Sequence, residues 1–404
     1  MTTVAIVCEY NPFHNGHLYQ IEAIRREFGE DTRIIAVMSG SFTQRGESAI
    51  LDKTYRAKCA VLCGVNLVLE LPFPFSMSSA EFFSRAAIHI INKIGIVDYV
   101  SFGSESGELT ELTEYARVTL SDEYNRTLNK LTESCEYANL GYPELCELAY
   151  TDTVGSRPAL KLTPNNILAL EYIKELIRTD STVKPHTIKR QGASFDEEKI
   201  VGSALQSATA IRASVLSGDY SALDYVPKIT ESVYFDATQN GDFPCSPSRL
   251  STAVISYLRI NSSSANVDIH DAKGGLYNRL RNASLEANDF ETLISLTETK
   301  KYTRARIRRV VWYSFFGVTS SEVVTPPAYT QVLAMDGLGR SCLKEIRKLA
   351  GFPIITKPSS TKGLCDIARV QKALSDKADS VFQLTKPTPK SAAFSLTVTP
   401  FVKK

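Results

Sequence analysis

The sequence predicts an α/β fold, a Rossmann-like parallel sheet followed by a mainly α-helical C-terminal domain. Three observations carry this. Short apolar runs alternate with stretches of helical spacing between residues 3 and 102; a polar segment holding Gly, Pro or Ser follows each run; and beyond Pro227 the alternation fades into helical stretches that dominate to about Phe316. Strands separated by helices imply βαβ units, and such a sheet gathers ligands at the carboxyl ends of its strands.

In chain order, Thr3–Cys8 (TVAIVC) is the nearly all-apolar run of a strand buried on both faces, and residues 18–28 follow with helical spacing through Leu18, Ile21 and Ile24. Residues 33–38 (RIIAVM) form a second strand ended by Ser39, Gly40 and Ser41, and 52–63 a helix. Residues 66–71 (NLVLEL) form a third strand stopped by Pro72 and Pro74, 78–93 a helix, and 98–102 (DYVSF) a fourth strand followed by Gly103. The segments 11–17, 39–47, 72–77 and 103–105 all fall at strand ends and should converge on one crevice. Residues 106–160 read as helix and loop. Pro164 tolerates a first helical turn and an asparagine can cap it, so a helix starts ahead of the apolar run 167–173. Residues 186–190 (HTIKR) form a fifth strand, followed by a Gly-Ala-Ser-Phe-Asp-Glu loop at 192–197.

A chain of 404 residues exceeds the size at which one core stops growing, so two or three domains are expected, and the fading of the alternation after Pro227 puts the boundary near residue 226, giving domains 1–226 and 227–404. The tail from Thr385 is Pro-rich and basic, either a flexible end or an extended arm. Lys and Arg number 46 against 44 Asp and Glu, so attraction to nucleic acid must come from a local patch. The eight cysteines lack CxxC or zinc-ribbon spacing and no basic-then-apolar leader opens the chain. Reduced core thiols in a cytoplasmic protein follow. No apolar stretch approaches the ~20 residues that cross a bilayer.

Two of the five histidines stand three residues apart in CEYNPFHNGHLY, residues 8–19. His14-Asn15-Gly16-His17 sits where strand passes into helix, and the unpaired N–H groups and dipole there favour a phosphate. Gly16 lets a bulky ligand approach the backbone. Two imidazoles on adjacent turns add donors toward a polyphosphate and stabilise charge as pyrophosphate leaves. A metal-binding pair would need a third or fourth ligand, and no HxxE or paired cysteines accompany it. Ordinary polarity at a helix start accounts for one histidine more readily than for two around a glycine. Further on, Ser207-Ala208-Thr209-Ala210-Ile211-Arg212 places hydroxyls at a helix start, where Ser207 and Thr209 can cap while donating to phosphate, and Arg212 offers a forked fixed charge. Alone, it would read as an amphipathic helix with a solvated arginine; beside the histidine motif it reads as a second phosphate element.

Residues 11–17 resemble the HxGH signature of the nucleotidylyltransferase superfamily, which binds ATP or CTP at this turn, and 207–212 resemble its (I/V)SST-x-IR element. A narrower resemblance covers most of residues 4–212. CEYNPFHNGH, 37–42 (VMSGSF) with 44–47 (QRGE), 70–73 (ELPF), 164–168 (PNNIL) and 188–190 (IKR) are similar to the bacterial tRNA(Met) cytidine acetate ligase family, which 302–309 (YTRARIRR) match more loosely.

That resemblance implies a two-step ligase. Acetate attacks the α-phosphate of Mg²⁺-ATP to give acetyl-adenylate, and N4 of the wobble cytidine of elongator tRNA(Met) takes the acetyl group. It places the ATP site on Val7, Glu9, Tyr10, Asn11, Pro12, Phe13, His14, Asn15, Gly16, His17 and Gln20. Gly103, Asn165 or Asn166, Arg190, and the motif residues Ser207, Thr209 and Arg212 complete it. His14, His17 and Arg212 are the expected catalytic residues. The chemistry is coherent, because a ring-delocalised amine needs an activated carboxylate, and nucleotidyl transfer needs in-line placement and charge neutralisation. Glu47 and Asp52 are either acids that position metal or substrate, or solvated loop residues. Coenzyme-making adenylyltransferases often lead into the motif with small residues; Cys8, Glu9 and Tyr10 here imply a different acceptor pocket. The competing readings are an adenylyltransferase making a dinucleotide cofactor and a non-catalytic RNA-binding protein.

Residues 300–309 (KKYTRARIRR) carry six positive charges and no negative one. As a helix they put Lys301, Arg304 and Arg308 on one face and Ile307, Val310, Val311 and Phe315 toward a core. Such a ridge suits RNA phosphates, or else is a solvated face. Tyr302 and Trp312 are available for base stacking, with core packing favoured for Trp312.

Overall fold

The computed structural model describes residues 1–137, 140–190, 206–261, 268–349 and 351–404. The predicted loop at 192–197 lies outside them. The chain runs β1 (Thr3–Cys8), α1 (Asn15–Phe28), β2 (Arg33–Ser39), α2 (Lys53–Leu62), β3 (Leu67–Leu71), α3 (Ala80–Ile94) and β4 (Tyr99–Ser104). Helices α4 (Leu109–Leu120), α5 (Asp122–Glu133), α6 (Tyr142–Val154) and α7 (Pro164–Arg178) precede β5 (Lys184–Lys189) and α8 (Ala208–Leu216). Then come α9 (Glu231–Gln239), α10 (Ser251–Ile260), α11 (Leu276–Glu286), α12 (Phe290–Thr297), α13 (Arg304–Phe316) and α14 (Ser320–Val324). The chain closes with β6 (Thr330–Met335), α15 (Gly337–Leu349), β7 (Ile354–Ile355), α16 (Asp366–Phe382), α17 (Phe394–Thr397) and β8 (Phe401–Val402).

The sheet order is β5-β4-β1-β2-β3-β6-β7, with β8 also on β6. Strands β1 to β5 pair in parallel. The all-apolar strand sequences follow from burial on both faces: Ala5, Ile35, Val37, Leu67 and Leu69 join one core with α3 and α7, while Val4, Ile6, Ile34, Ala36 and Met38 join another with α1 and α2. The α/β class and the helical stretch before residue 160 are as the sequence predicts.

Beyond residue 226 the chain is mostly helical, but the sheet crosses that position. Strand β6 pairs antiparallel with β3, and β7 and β8 pair in parallel with β6. The six residues of β6 are buried on both faces, which accounts for TQVLAM, an apolar run the sequence reading passed over. A third core joins the two halves: Phe42 and Phe73, from loops at the ends of β2 and β3, lie 5.1 Å from the rings of Trp312 and Phe316 respectively. The indole N–H of Trp312 donates to the Gly46 carbonyl at 3.0 Å, so this ring is core.

Buried charges tie the C-terminal region down. Lys53 Nζ lies 2.7 Å from Glu70 and 2.6 Å from Asp379, and burial pushes the Glu70 carboxyl up to about 7. Lys386, fully buried, pairs with Asp52 at 3.0 Å and Asp242 at 3.1 Å, so the tail is a docked arm and Asp52 serves this contact. Cys8, Cys59, Cys63, Cys245 and Cys342 are buried free thiols. No helix among the described residues is long and apolar enough to cross a membrane.

Candidate active site

The turn from β1 into α1 is built by its own side chains. His14 is the N-cap of α1, and its Nδ1 accepts from the Gly16 N–H at 3.0 Å. The His14 N–H in turn donates to His17 Nδ1 at 3.2 Å, a reciprocal capping box made from two imidazoles. The rings stack 3.8 Å apart. Because each Nδ1 accepts, each neutral ring carries its proton on Nε2. Burial, reinforced by Arg190 and Arg212, holds His14 down to about 3, and burial beside His14 holds His17 well below the ordinary imidazole range. Both are therefore uncharged donors at neutral pH.

Gly16 lines the cavity, and its lack of a side chain has a second reason. A Cβ there would lie 2.9 Å from His14 Cε1, so the glycine makes room for the capping imidazole. Tyr10 holds a left-handed φ of 49°, costly for an aromatic residue, and packs its ring edge 4.8 Å from His17. Asn11 is buried; its Oδ1 accepts from Ile50 N–H at 2.8 Å and its carbonyl accepts from Arg212 Nη1 at 2.8 Å.

A cavity of about 190 Å³ opens above this turn. Val7, Glu9, Tyr10, Asn11, His14, Gly16, His17, Gln20, Gly103, Asn165, Arg190, Thr209 and Arg212 line it, so most of the expected residues come together. Pro12 and Phe13 are buried beneath, and Asn15, Asn166 and Ser207 are not among the lining residues. Ser207 caps α8, accepting from Ala210 N–H at 3.0 Å. Both asparagines hold the Glu105 loop, Asn166 by accepting from the Glu105 N–H at 2.9 Å while donating to the Lys161 carbonyl, and Asn165 by donating to Glu105 Oε1 at 2.5 Å; Asn165 alone of the two also lines the cavity. A Cβ on Gly103 would lie 3.2 Å from Arg190 Cγ, so its absence lets that arginine cross the strand end.

The strand-end segment 39–47 contributes more than was read from it. Thr43, Gln44, Arg45 and Glu47 line the cavity, and the Gln44 N–H donates to Glu9 Oε1 at 2.9 Å. Burial pushes the Glu9 carboxyl up. Glu47 is no solvated residue: Arg212 lies 3.1 Å from Oε2 and Arg308 2.7 Å from Oε1. Tyr172, at the apolar wall with Leu168, went unread because a buried helix face resembles any other.

The basic cluster forms α13, but its arginines are paired. Arg304 meets Glu291 and Glu298, Arg308 meets Glu47 and Glu291, and Arg306 and Arg309 meet Asp271. Lys301 lies 5.7 Å over the Tyr302 ring, and the Tyr302 hydroxyl donates to the Gly274 carbonyl. The expected phosphate ridge is thus largely neutralised by its neighbours.

The model of the HIGH Nucleotidyl Transferase family matches residues 1–395. The tRNA(Met) cytidine acetate ligase of Thermoanaerobacter sp. (strain X514) is 36% identical over 369 residues, 90% of each chain. That of Acetivibrio thermocellus is 35% identical over 379 residues, 91% of this chain and 90% of its own. Among solved structures, Thermotoga maritima TmcAL bound with alpha-thio ATP matches at a TM-score of 0.89 and 29% identity over all of both chains. The apo form matches at 0.90 and 30% identity, covering 100% of this chain and 99% of that one.

Proposed function

The chain belongs to the tRNA(Met) cytidine acetate ligase family, within the HIGH nucleotidyl transferases, and on that premise we propose that it is an ATP-dependent ligase that acetylates N4 of the wobble cytidine of elongator tRNA(Met). The relatives' names favour this over synthesis of a dinucleotide cofactor. The observation that carries the chemistry is the pair of neutral, stacked imidazoles capping α1 inside a cavity that also holds Arg190 and Arg212.

In the first step an acetate oxygen bonds to the α-phosphorus of ATP as the bond to the β-bridging oxygen breaks and pyrophosphate leaves with the electron pair. His14 and His17 offer Nε2–H donors whose neutrality spares the cost of a buried unpaired cation. Arg212, held by the Asn11 carbonyl, supplies the fixed charge that transferring phosphates need. In the second step N4 attacks the acetyl carbonyl, AMP departs with the electron pair of the C–O bond, and N4 loses a proton. The buried carboxyl of Glu9 and the bulk of Tyr10 shape the acceptor side. Among the described residues no group of three His, Cys, Asp or Glu side chains could hold a metal. Mg²⁺ would enter with ATP and supply neutralisation of phosphate charge there.

Pyrophosphate release from Mg²⁺-ATP, measured with acetate, other short carboxylates or mononucleotides, with and without tRNA, tests this. Acetate-dependent release, with N4-acetylcytidine appearing only in the presence of tRNA, is expected. Release driven by a mononucleotide would move the assignment to cofactor synthesis, and none at all would leave an RNA-binding protein.

A further inference from the structure

A second run of positive charge lies outside the arginine-rich helix. Between Gly337 and Cys365 the sequence carries Arg340, Lys344, Arg347, Lys348, Lys357 and Lys362 against the single acid Glu345. All six are exposed, and Glu345 is taken by Arg33 at 2.5 Å. None of the six makes an ion pair among the described residues, whereas all four arginines of α13 do.

The fold makes these charges contiguous. Helix α15 turns Cys342, Leu343 and Ile346 into the sheet and presents Arg340, Lys344 and Lys348 outward. At its start lies a shallow groove lined by Arg340, Lys403 and Lys404 and by one acid, Asp336, whose oxygens are taken by Asn66 Nδ2 and the Gly339 N–H; here β8 has docked on β6 and the Lys403 N–H donates to the Met335 carbonyl at 2.9 Å. At its other end Arg347 donates to Thr356 Oγ1, beside a second groove lined by Lys357, Ser360 and Lys362. Exposed, unneutralised cations arrayed along a helix and two flanking grooves suit a polyanion whose phosphates repeat.

We propose that α15, the 357–362 loop and the C-terminal lysines form an RNA-backbone surface that grips a part of the tRNA remote from the reacting base. This rests on the ligase reading above. Helix α15 packs on β2, β3 and β6, and β7 is the sheet edge opposite Gly103 and Arg190. From β4 to β7 is five strand spacings, about 24 Å. An RNA touching both spans at least that distance, and the contact adds affinity without reading sequence.

The test uses the full chain carrying Arg340→Glu, Lys344→Glu and Lys348→Glu together, with full-length elongator tRNA(Met) and its isolated anticodon stem-loop as probes across a salt series. Full-length binding should weaken at least tenfold, with a slope of log K against log salt shallower by about 2, one counterion-releasing contact per charge. Stem-loop binding and acetate-dependent pyrophosphate release without RNA should match the unmodified protein, the latter also reporting an intact fold. Unchanged full-length binding, or equal losses for both RNAs, would overturn the surface. If the unmodified protein binds neither RNA, the tRNA substrate itself is wrong and the surface falls with it.

Discussion

Arg212 and Arg308 grip the two oxygens of one carboxylate, that of Glu47, at 3.1 and 2.7 Å. One guanidinium lines the cavity above the β1–α1 turn and the other belongs to α13, so a single acid joins the candidate catalytic site to the helical region. Gly46 beside it has a φ of 73°, and a Cβ there would lie 2.6 Å from the Arg309 backbone nitrogen. The loop and the helix are fitted to contact.

A triphosphate must win Arg212 from this carboxylate. Glu47→Gln should therefore bind ATP several-fold more tightly while losing about 1–3 kcal/mol of stability, because two largely buried arginines lose a charged partner. Calorimetric ATP titration and urea unfolding read the two effects. Weaker ATP binding at unchanged stability would show that Glu47 helps rather than competes.

Gly16→Ala separates fold from chemistry. Alanine is about 1 kcal/mol the better helix former in a helix interior, which offsets much of the roughly 1 kcal/mol lost when the His14 cap is disturbed, so the fold should hold. The added methyl would press on the His14 ring at 2.9 Å and displace it. Acetyl-adenylate formation should fall by about 100-fold, the cost of misplacing a reacting group by roughly an ångström. A variant as active as the parent would mean that His14 does not need its capping position.

The turn from β1 into α1 was legible because its parts are neighbours in sequence: a buried strand, a glycine and two histidines one helical turn apart. The arginines of α13 were legible as charges but not as ion pairs, since Glu47, Glu291 and Asp271 reach them from other elements. Strand β6 was missed because its partner β3 lies far upstream and antiparallel, beyond the βαβ rhythm that marks the first five strands. Its apolar run just after Pro326 and Pro327 was the available signal. The division of Asn165 from Asn166 depends on which of two residues that both bond Glu105 also reaches the cavity, and adjacent identical residues carry no mark of that.

That division has its own consequence. Asn166→Ala removes the acceptor of the Glu105 N–H and should cost about 1–3 kcal/mol, with ATP affinity falling as the loop loosens. Asn165→Ala removes a donor to the Glu105 carboxylate as well as a cavity side chain, so it should cost about 1 kcal/mol of stability and, in addition, raise KM for ATP. Thermal or urea unfolding beside steady-state kinetics distinguishes them, and identical behaviour of the two variants would remove Asn165 from the site.

The imidazole pair makes the last prediction, in pH. Burial beside Arg190 and Arg212 holds His14 down to about 3 in the folded chain, against about 6.5 when unfolded. The unfolded chain thus takes up its proton first. The neutral ring's contribution is full above about pH 6.5 and is lost as pH falls toward 3, at up to about 1.4 kcal/mol per unit. His14→Asn keeps an acceptor at the N-cap. Its stability should fall between pH 7 and 5 by about 1–2 kcal/mol less than that of the unmodified protein, as read from urea midpoints. The same variant should lose adenylate formation while keeping its fold. In the ligand-free protein the ring resonances of His14 and His17 should stay flat from pH 8 to 5.5; titration of either near 6.5 would mean the pair is solvated and charged, and the neutral-donor mechanism would fail.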